Sequence, residues 1–361
     1  MISIRDLAAA LGAEAEGDVA LLVRGAAEPA AALPDEIALA MQPAFAARLA
    51  EGRARAAILW PGADWRALGL AAAILAPRPR YLLAGIGRAF ERRPETAPGI
   101  HPSAVIDPAA ELGADASVGP FVVIGARVRI GARARIMSHV SIAEDVCVGD
   151  DALLYPGTRI GARVRIGHRF IAQPGAVIGA DGFSFVTPTP GTVEEARATG
   201  SITPREAQEY VRINSLGSVL IGDDVEVGAN SCIDRGTIAD TTIGDGTKID
   251  NQVQVGHNVK VGRTCLVCGQ AGIAGSTVIG DRVVLGGRAC VADHLTVGAD
   301  AVITGNSGVN ANVPPGWIMM GYPAVRMEQS VEMYKALRRL PRLLKRLAGE
   351  QKAVSNSGAS D

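Results

Sequence analysis

The stretch from Ile249 to Gly262, IDNQVQVGHNVKVG, sets one histidine, His257, after the acid and amide pair Asp250 and Asn251. An imidazole titrates near pH ~6.5, so at neutral pH it accepts a proton from an attacking amine or hydroxyl and can later give it back. Eighteen residues beyond His257 stands Gly275, and eighteen beyond that stands Asp293 with His294 beside it. Groups at this spacing can line one groove if the chain returns to the same wall every eighteen residues. The other reactive clusters carry less. Cys265 and Cys268 form a lone CxxC with no second pair, which fits core packing better than a zinc site. His101, His139 and His168 lie well below His257 along the chain.

The elements that position His257 follow from a repeat of six. Stepping by six from Ile100 gives Ile, Leu or Val as far as Ile178, apart from Ala172. A second register holds Ile221, Val227 and Ile233, and after a short insertion a third runs from Ile243 to Val309 with aliphatic residues throughout. A period of six is neither helical nor that of a simple strand. It predicts a prism of short strands with one hexapeptide per face and three faces per coil. Each aliphatic residue points inward, with a second, small or β-branched inward site four residues on, as at Ala104, Ala110, Val122 and Val128. Glycine commonly follows the aliphatic residue, where the corner leaves no room for a Cβ. Coils stack at ~4.8 Å, so Gly275 lies one coil above His257, and His294 lies ~10 Å from it within one subunit.

Three segments fall outside the hexads. Residues 1–98 mix helical patterns, RDLAAALGAE and PAFAARLAEGRA, with strands expected at RAAILWP and RYLLAGI, which makes a small α/β domain. Residues 183–217 are rich in Pro, Gly and charge and predict an excursion loop leaving the prism wall 99–320. Residues 321–350 read as C-terminal helices, broken into two at Pro341, and 351–361 as a disordered tail.

Composition narrows the function. The chain has 361 residues, 48% of them hydrophobic, and a formal net charge of -1. That balance argues against a protein that tracks the phosphates of nucleic acid. Arg5 and Asp6 interrupt what would be the apolar part of a signal peptide, and no apolar run reaches the ~18 residues of a membrane span. With five cysteines in no framework spacing, the expectation is a cytoplasmic protein without a transmembrane segment.

The stretch IDNQVQVGHNVKVG, with GADGFSF (Gly179 to Phe185), IDRG (Ile233 to Gly236) and VADHLTVG (Val291 to Gly298), resembles the UDP-3-O-(3-hydroxyacyl)glucosamine N-acyltransferases of lipid A synthesis in Gram-negative bacteria. The resemblance covers nearly the whole chain. It implies a mainly β fold, a left-handed parallel β-helix flanked by a small N-terminal α/β uridine-binding domain and C-terminal α-helices. It also implies a homotrimer with active sites in the grooves between adjacent β-helices. The donor would be a (3R)-3-hydroxyacyl acyl carrier protein carrying phosphopantetheine, and the acceptor the 2-amine of UDP-3-O-acylglucosamine. No metal or further cofactor is expected. His257 matches the catalytic base, and the Gly275 N–H matches the donor to the tetrahedral oxyanion. Asp250 would orient the imidazole or its partner. Asn251, His294, Asp181 and Phe183 would bind substrate.

The uridine site departs from the family pattern. An aromatic, an asparagine and a second aromatic are replaced here by Leu39, Gln42 and Phe45, which leaves Phe45 to stack on uracil and Gln42 to bond its edge. The alternative within the superfamily is another nucleotide-sugar acyltransferase, O-acyl or coenzyme A-dependent, and the domain over 1–98 argues against it. A hexapeptide-repeat carbonic anhydrase would need about three converging ligands, which the spacing of the histidines does not supply.

Overall fold

The computed structural model describes residues 1–91, 96–204, 207–321 and 324–357, with side chains as far as residue 348. The chain divides into two compact units, Met1–Glu95 and Thr96–Asp361.

In the first unit, strands β1 (Ile2–Ser3), β2 (Glu14–Gly17), β3 (Leu22–Val23), β4 (Gly25–Ala27), β5 (Glu36–Ala40), β6 (Ala56–Leu59) and β7 (Ala72–Leu75) accompany helices α1 (Ile4–Leu11), α2 (Pro43–Ala46) and α3 (Pro79–Phe90). One sheet has the order β2-β7-β6-β5-β4, with β4 to β7 mutually parallel and β2 antiparallel at the edge. The central strands β6 and β7 are almost continuously buried, as expected of parallel strands covered on both faces. RYLLAGI is helical in the structure, lying within α3, and β7 is the strand in its place. Pro79 at the start supplies a helical φ with no N–H to satisfy. Leu82 and Ile86, four apart, then bury one face.

The second unit is the left-handed parallel β-helix. Short strands, most of two residues, stack into three parallel sheets of 9, 11 and 10 strands among the described residues, one per face. The register is the hexad register: Leu112 pairs with Ile130, Ile130 with Val148 and Val148 with Ile166, each eighteen residues on. Stacking survives the excursion, because Ile166 pairs with Ile221 and Ile178 with Ile233. The inward residues form one continuous buried column. Ala172, the one exception in its register, lies two residues from Phe170, the largest fully buried side chain, so a small residue makes room for a large one. Cys265 is wholly buried at a second inward site, and its thiol donates to the Gly280 carbonyl at 3.1 Å.

Corners repeat a left-handed backbone at non-glycine residues, among them Arg127 (φ 57°), Asn258 (φ 61°) and His294 (φ 59°). Some of these corner side chains tie coil to coil. Arg127 grips Asp145 through two N–H donors at 2.7 and 2.8 Å, and Arg282 grips Asp300 at 2.6 and 2.7 Å.

The excursion begins where the wall strand Val177–Ala180 ends and returns at Val219. It carries a two-stranded ribbon, Phe185–Val186 against Val211–Arg212, and helix α4 (Thr192–Thr199). At the C-terminus the expected break at Pro341 does not occur, since α5 runs as one helix from Met327 to Ser357 with Pro341 inside it. The helix is exposed, so the carbonyl that loses its N–H partner at the proline can turn to water instead. Residues 351–357, expected in the tail, continue this helix, and 358–361 lie outside the described residues.

Glycine at the corner is a steric requirement that can be checked. A Cβ on Gly131 would lie 2.6 Å from the Asp150 nitrogen and 2.6 Å from the Gly149 carbonyl carbon, whereas one on Gly308 would meet nothing within 4 Å. Gly131→Ala is expected to cost ~1–3 kcal/mol through overpacking, read as a lower thermal midpoint, while Gly308→Ala leaves the midpoint unchanged.

Candidate active site

His257 follows the strand Gln254–Val255 on the outer wall and is half-buried. Two glycines bracket its ring. A Cβ on Gly275 would lie 2.7 Å from Cε1 and 2.8 Å from Nε2, and one on Gly182 would lie 2.7 Å from the His257 Cβ and 3.0 Å from Cδ2. Neither position can carry a side chain while the imidazole stays where it is. Gly182 is itself held by the Ser215 hydroxyl, which accepts from its N–H at 3.1 Å, so the two ends of the excursion are tied together beside the histidine.

The neighbours of the ring fix its tautomer. The Asn258 amide nitrogen donates to the Ala239 carbonyl at 2.7 Å, so its Oδ1 faces the other way and accepts from the Thr237 N–H at 3.0 Å. The same Oδ1 lies 3.0 Å from His257 Nδ1, and two acceptors cannot share that contact, so Nδ1 carries the proton. Among the described residues nothing bonds Nε2, which lies on the side of Gly275. Asparagine also suits the left-handed corner that residue 258 occupies. Among the described residues the Gly275 N–H has no acceptor, although its carbonyl takes the His294 N–H at 3.1 Å. A free base and a free backbone donor therefore sit one strand apart.

Both open onto a cleft of about 460 Å³, lined also by Asp181, Phe183, Phe185, Arg212, Asp234 and Gln254. That volume is in the range of small-ligand sites. Phe183 is 87% exposed and stacks edge-to-face on Phe185 with centroids 5.1 Å apart. Arg212 lies over the Phe185 ring at 5.2 Å and donates to Asp181 at 3.4 Å. Asp234 is buried, accepts from the Gln254 amide at 2.9 Å, and has its carboxyl pushed up to about 6. Burial is the main cause. The Gln254 hydrogen bond and His257 oppose it, and Asp181 adds to it.

The structure thus brings His257, Gly275, Asp181 and Phe183 together. It does not bring Asp250, Asn251 or His294 to them within the chain. Asp250 and Asn251 follow Lys248–Ile249 in a different sheet and line two other grooves. Their side chains close turns: Asp250 accepts from the N–H groups of Asn251 at 2.7 Å and Gly269 at 2.8 Å, and Asn251 Oδ1 accepts from Ala229 at 2.6 Å. Asp250 therefore does not orient the imidazole of its own chain; Asn258 and Thr237 contact it instead. His294 is exposed and outside the cleft lining, and its neighbour Asp293 is gripped by two bonds of 2.9 Å from Arg197 of α4. Sequence reasoning passed over Asp234, Gly182 and Asn258, although IDRG, GADGFSF and the HN pair contain them.

In the first unit, Gln42 caps the start of α2 and Phe45 lies within it, both exposed, and the Phe45 N–H donates to the Gln42 carbonyl at 3.0 Å. Phe45 is 45% exposed, so it is not a core side chain. Leu39, on β5 itself, packs partly into the core of that unit.

Comparison with known proteins gives two family matches, the GMPPB C-terminal domain over residues 100–182 and the bacterial transferase hexapeptide (six repeats) over residues 240–275. The chain is 56% identical over 360 residues to a UDP-3-O-acylglucosamine N-acyltransferase of Ruegeria pomeroyi, covering 99% of each. A protein of that name from Paracoccus denitrificans is 55% identical over 354 residues, covering 98% of this chain and 97% of the relative. One from Pseudomonas aeruginosa (strain LESB58) is 41% identical over 371 residues, covering 99% and 96%. Among solved structures, an Arabidopsis UDP-N-acetylglucosamine acyltransferase superimposes with a TM-score of 0.52 at 23% identity, over 62% of this chain and 71% of that one, a likeness of fold.

The buried carboxyl of Asp234 carries a pH signature. Its value is raised from 3.8 to about 6, so the folded protein favours the protonated form. The stability this represents is full below about pH 4 and is lost as pH rises through about 6. Asp234→Asn removes that loss. Its thermal midpoint is expected to exceed that of the wild type at about pH 8, by up to roughly 3 kcal/mol in stability, and the gain should vanish near pH 4.

Proposed function

Because the chain belongs to the UDP-3-O-acylglucosamine N-acyltransferase family and is an acyltransferase of lipid A synthesis, we propose that it moves a (3R)-3-hydroxyacyl chain from an acyl carrier protein to the 2-amine of UDP-3-O-acylglucosamine, with His257 as general base. The observation that carries this reading is the bare Nε2 of His257 facing the unpartnered N–H of Gly275.

The amine nitrogen attacks the thioester carbonyl, and His257 Nε2 takes a proton from it as the C–N bond forms. The carbonyl oxygen becomes an oxyanion, and the Gly275 N–H donates to it. When the tetrahedral intermediate collapses, the C–S bond breaks and the imidazolium returns its proton to the departing phosphopantetheine thiolate. The steric demand at Gly275 serves this step, since any side chain there would occupy the space the thioester needs.

The remaining residues extend the site. Asp181 and Phe183 contact substrate from the excursion side of the cleft. In a homotrimer with its sites between adjacent β-helices, Asp250 and Asn251 serve the cleft of a neighbouring copy, which suits their position on another face. Uridine binds the first unit, with uracil stacked on Phe45 and its edge bonded by Gln42, while Leu39 supplies apolar support beneath. The basic side chains of α5, among them Arg338, Arg339 and Arg342, offer an acidic carrier protein a docking face whose strength falls with salt. The proposed compartment is the cytoplasm of a Gram-negative bacterium. Among the described residues no helix is long and apolar enough to cross a membrane.

Two measurements test this. His257→Ala is expected to lower turnover of the carrier-protein thioester and UDP-3-O-acylglucosamine by at least ~10²-fold with an unchanged thermal midpoint, and His294→Ala by a smaller factor, partly through KM. Near-normal turnover in His257→Ala refutes the mechanism. Phe45→Ala is expected to raise KM for the UDP-sugar, by ~1–2 kcal/mol of lost binding, with kcat little changed. An unaltered KM removes Leu39, Gln42 and Phe45 from the nucleotide site.

A further inference from the structure

The residue after the inward aliphatic is most often glycine, and aspartate takes that place only at Asp107, Asp234 and Asp250 in the three hexad registers. Two of the three spend their carboxylates on the fold. Asp107 accepts from the Ala109 N–H at 2.8 Å, and Asp250 from those of Asn251 and Gly269. Asp234 closes no turn. One of its oxygens accepts from Gln254 at 2.9 Å, and the other has no donor among the described residues. The adjacent Arg235 does not neutralise it, because that guanidinium donates to the carbonyls of Gly179 and Ala162. A buried carboxylate with no cation and a free oxygen is costly to keep, and this one lines the cleft.

The register places it against the base. Asp234 follows Ile233, which pairs with Val255, so Asp234 stands one strand below Gly256 and next to His257. Gly275 stands one strand above His257. Along the wall the order is carboxylate, imidazole, backbone N–H.

We propose that Asp234 is a second acceptor for the nucleophile, its free carboxylate oxygen holding the N–H of the attacking amine that His257 does not take. The inference rests on the acyl transfer to an amine described above and adds a residue to it. A primary amine brings two N–H bonds to the carbonyl carbon. One proton passes to His257 Nε2 and then to the leaving thiolate. The other stays on nitrogen and becomes the amide N–H of the product, and Asp234 bonds it throughout. With that N–H fixed on the carboxylate and the transferable one on the imidazole, the nitrogen lone pair is aimed at the thioester. A hydroxyl nucleophile has a single proton and would leave the carboxylate unused.

The test is Asp234→Gly, which restores the residue most common at this hexad position and opens a space the size of a small carboxylate. With carrier-protein thioester and UDP-3-O-acylglucosamine, kcat is expected to fall about 10²-fold, with KM for the UDP-sugar within about twofold and the thermal midpoint no lower than that of the wild type. Added formate should restore kcat by about tenfold, saturably, where chloride at equal ionic strength does not. A kcat within about threefold of wild type, or a loss that formate does not restore, overturns the assignment. If the glycine variant fails to fold, Asp234→Asn decides, because it keeps the shape and loses the charge: a large fall in kcat supports the assignment and near-wild-type turnover overturns it. A wild-type protein that does not acylate the amino sugar overturns the reaction itself and this inference with it; an active wild type with unimpaired variants overturns the inference alone.

Discussion

Backbone pairing between successive coils is the constraint on which the rest depends. Each short strand, of two to four residues, is too short to be stable alone, and it persists because it bonds neighbouring strands while its aliphatic residue stacks on its counterparts. The spacing that results is a strand spacing of ~4.8 Å, and everything on the wall inherits it. A catalytic base and an oxyanion donor can therefore be set one strand apart by placing them eighteen residues apart. No loop needs to fold correctly for that relation to hold.

The same spacing explains the glycines beside His257. Coils this close leave no room between imidazole and neighbouring backbone, so Gly275 above and Gly182 from the excursion are both bare. Polar neighbours then set the state of the ring. Asn258, fixed by Ala239 and Thr237, holds the proton on Nδ1 and leaves Nε2 open. Elsewhere on the β-helix, polar side chains close turns or bridge coils, as Asp250 and Arg127 do. At the cleft, Nε2, the Gly275 N–H and one oxygen of Asp234 have no partner among the described residues; a corner N–H such as that of Ala126 or Glu144 is free as well, so it is the three together that mark chemistry rather than folding.

How much of this was legible in the sequence follows from the geometry of the repeat. Counting by eighteen finds the coil above, so the relation of His257 to Gly275 could be read directly. Counting by six finds the next face, and Asp250 and Asn251, one hexad before His257, are turned onto another sheet of the prism although they look adjacent in the chain. Asp234 escaped for a different reason. An insertion between Ile233 and Ile243 lengthens that coil, so the residue below Gly256 is reached by a step of twenty-two, and eighteen back from His257 falls instead on Ala239. In the first unit the difficulty was local, because RYLLAGI is apolar enough for a strand and only the preceding Pro79 tells of a helix. Pro341 misled in the opposite sense, since an exposed helix can lose one backbone bond to water and continue.

The excursion completes the cleft that a bare prism wall could not form. It leaves at Ala180, which pairs with Asp234 from the strand beneath, two strands below the one that leads to the base, and it rises from there to bring Gly182 against the imidazole. Gly182 presses on the imidazole, Ser215 from the returning end ties Gly182 down, and Arg197 of α4 is anchored on Asp293 higher up the wall. Gly182, near the start of the segment, meets His257 and is tied to Ser215 near its end, and the helix and ribbon lie between them. Because the wall strands on either side resume the same register across the gap, from Ile166 to Ile221 and from Ile178 to Ile233, the middle of the excursion can lengthen without moving base, oxyanion donor or Asp234. The solenoid keeps the reacting groups at fixed spacing and leaves the far side of the groove free to change.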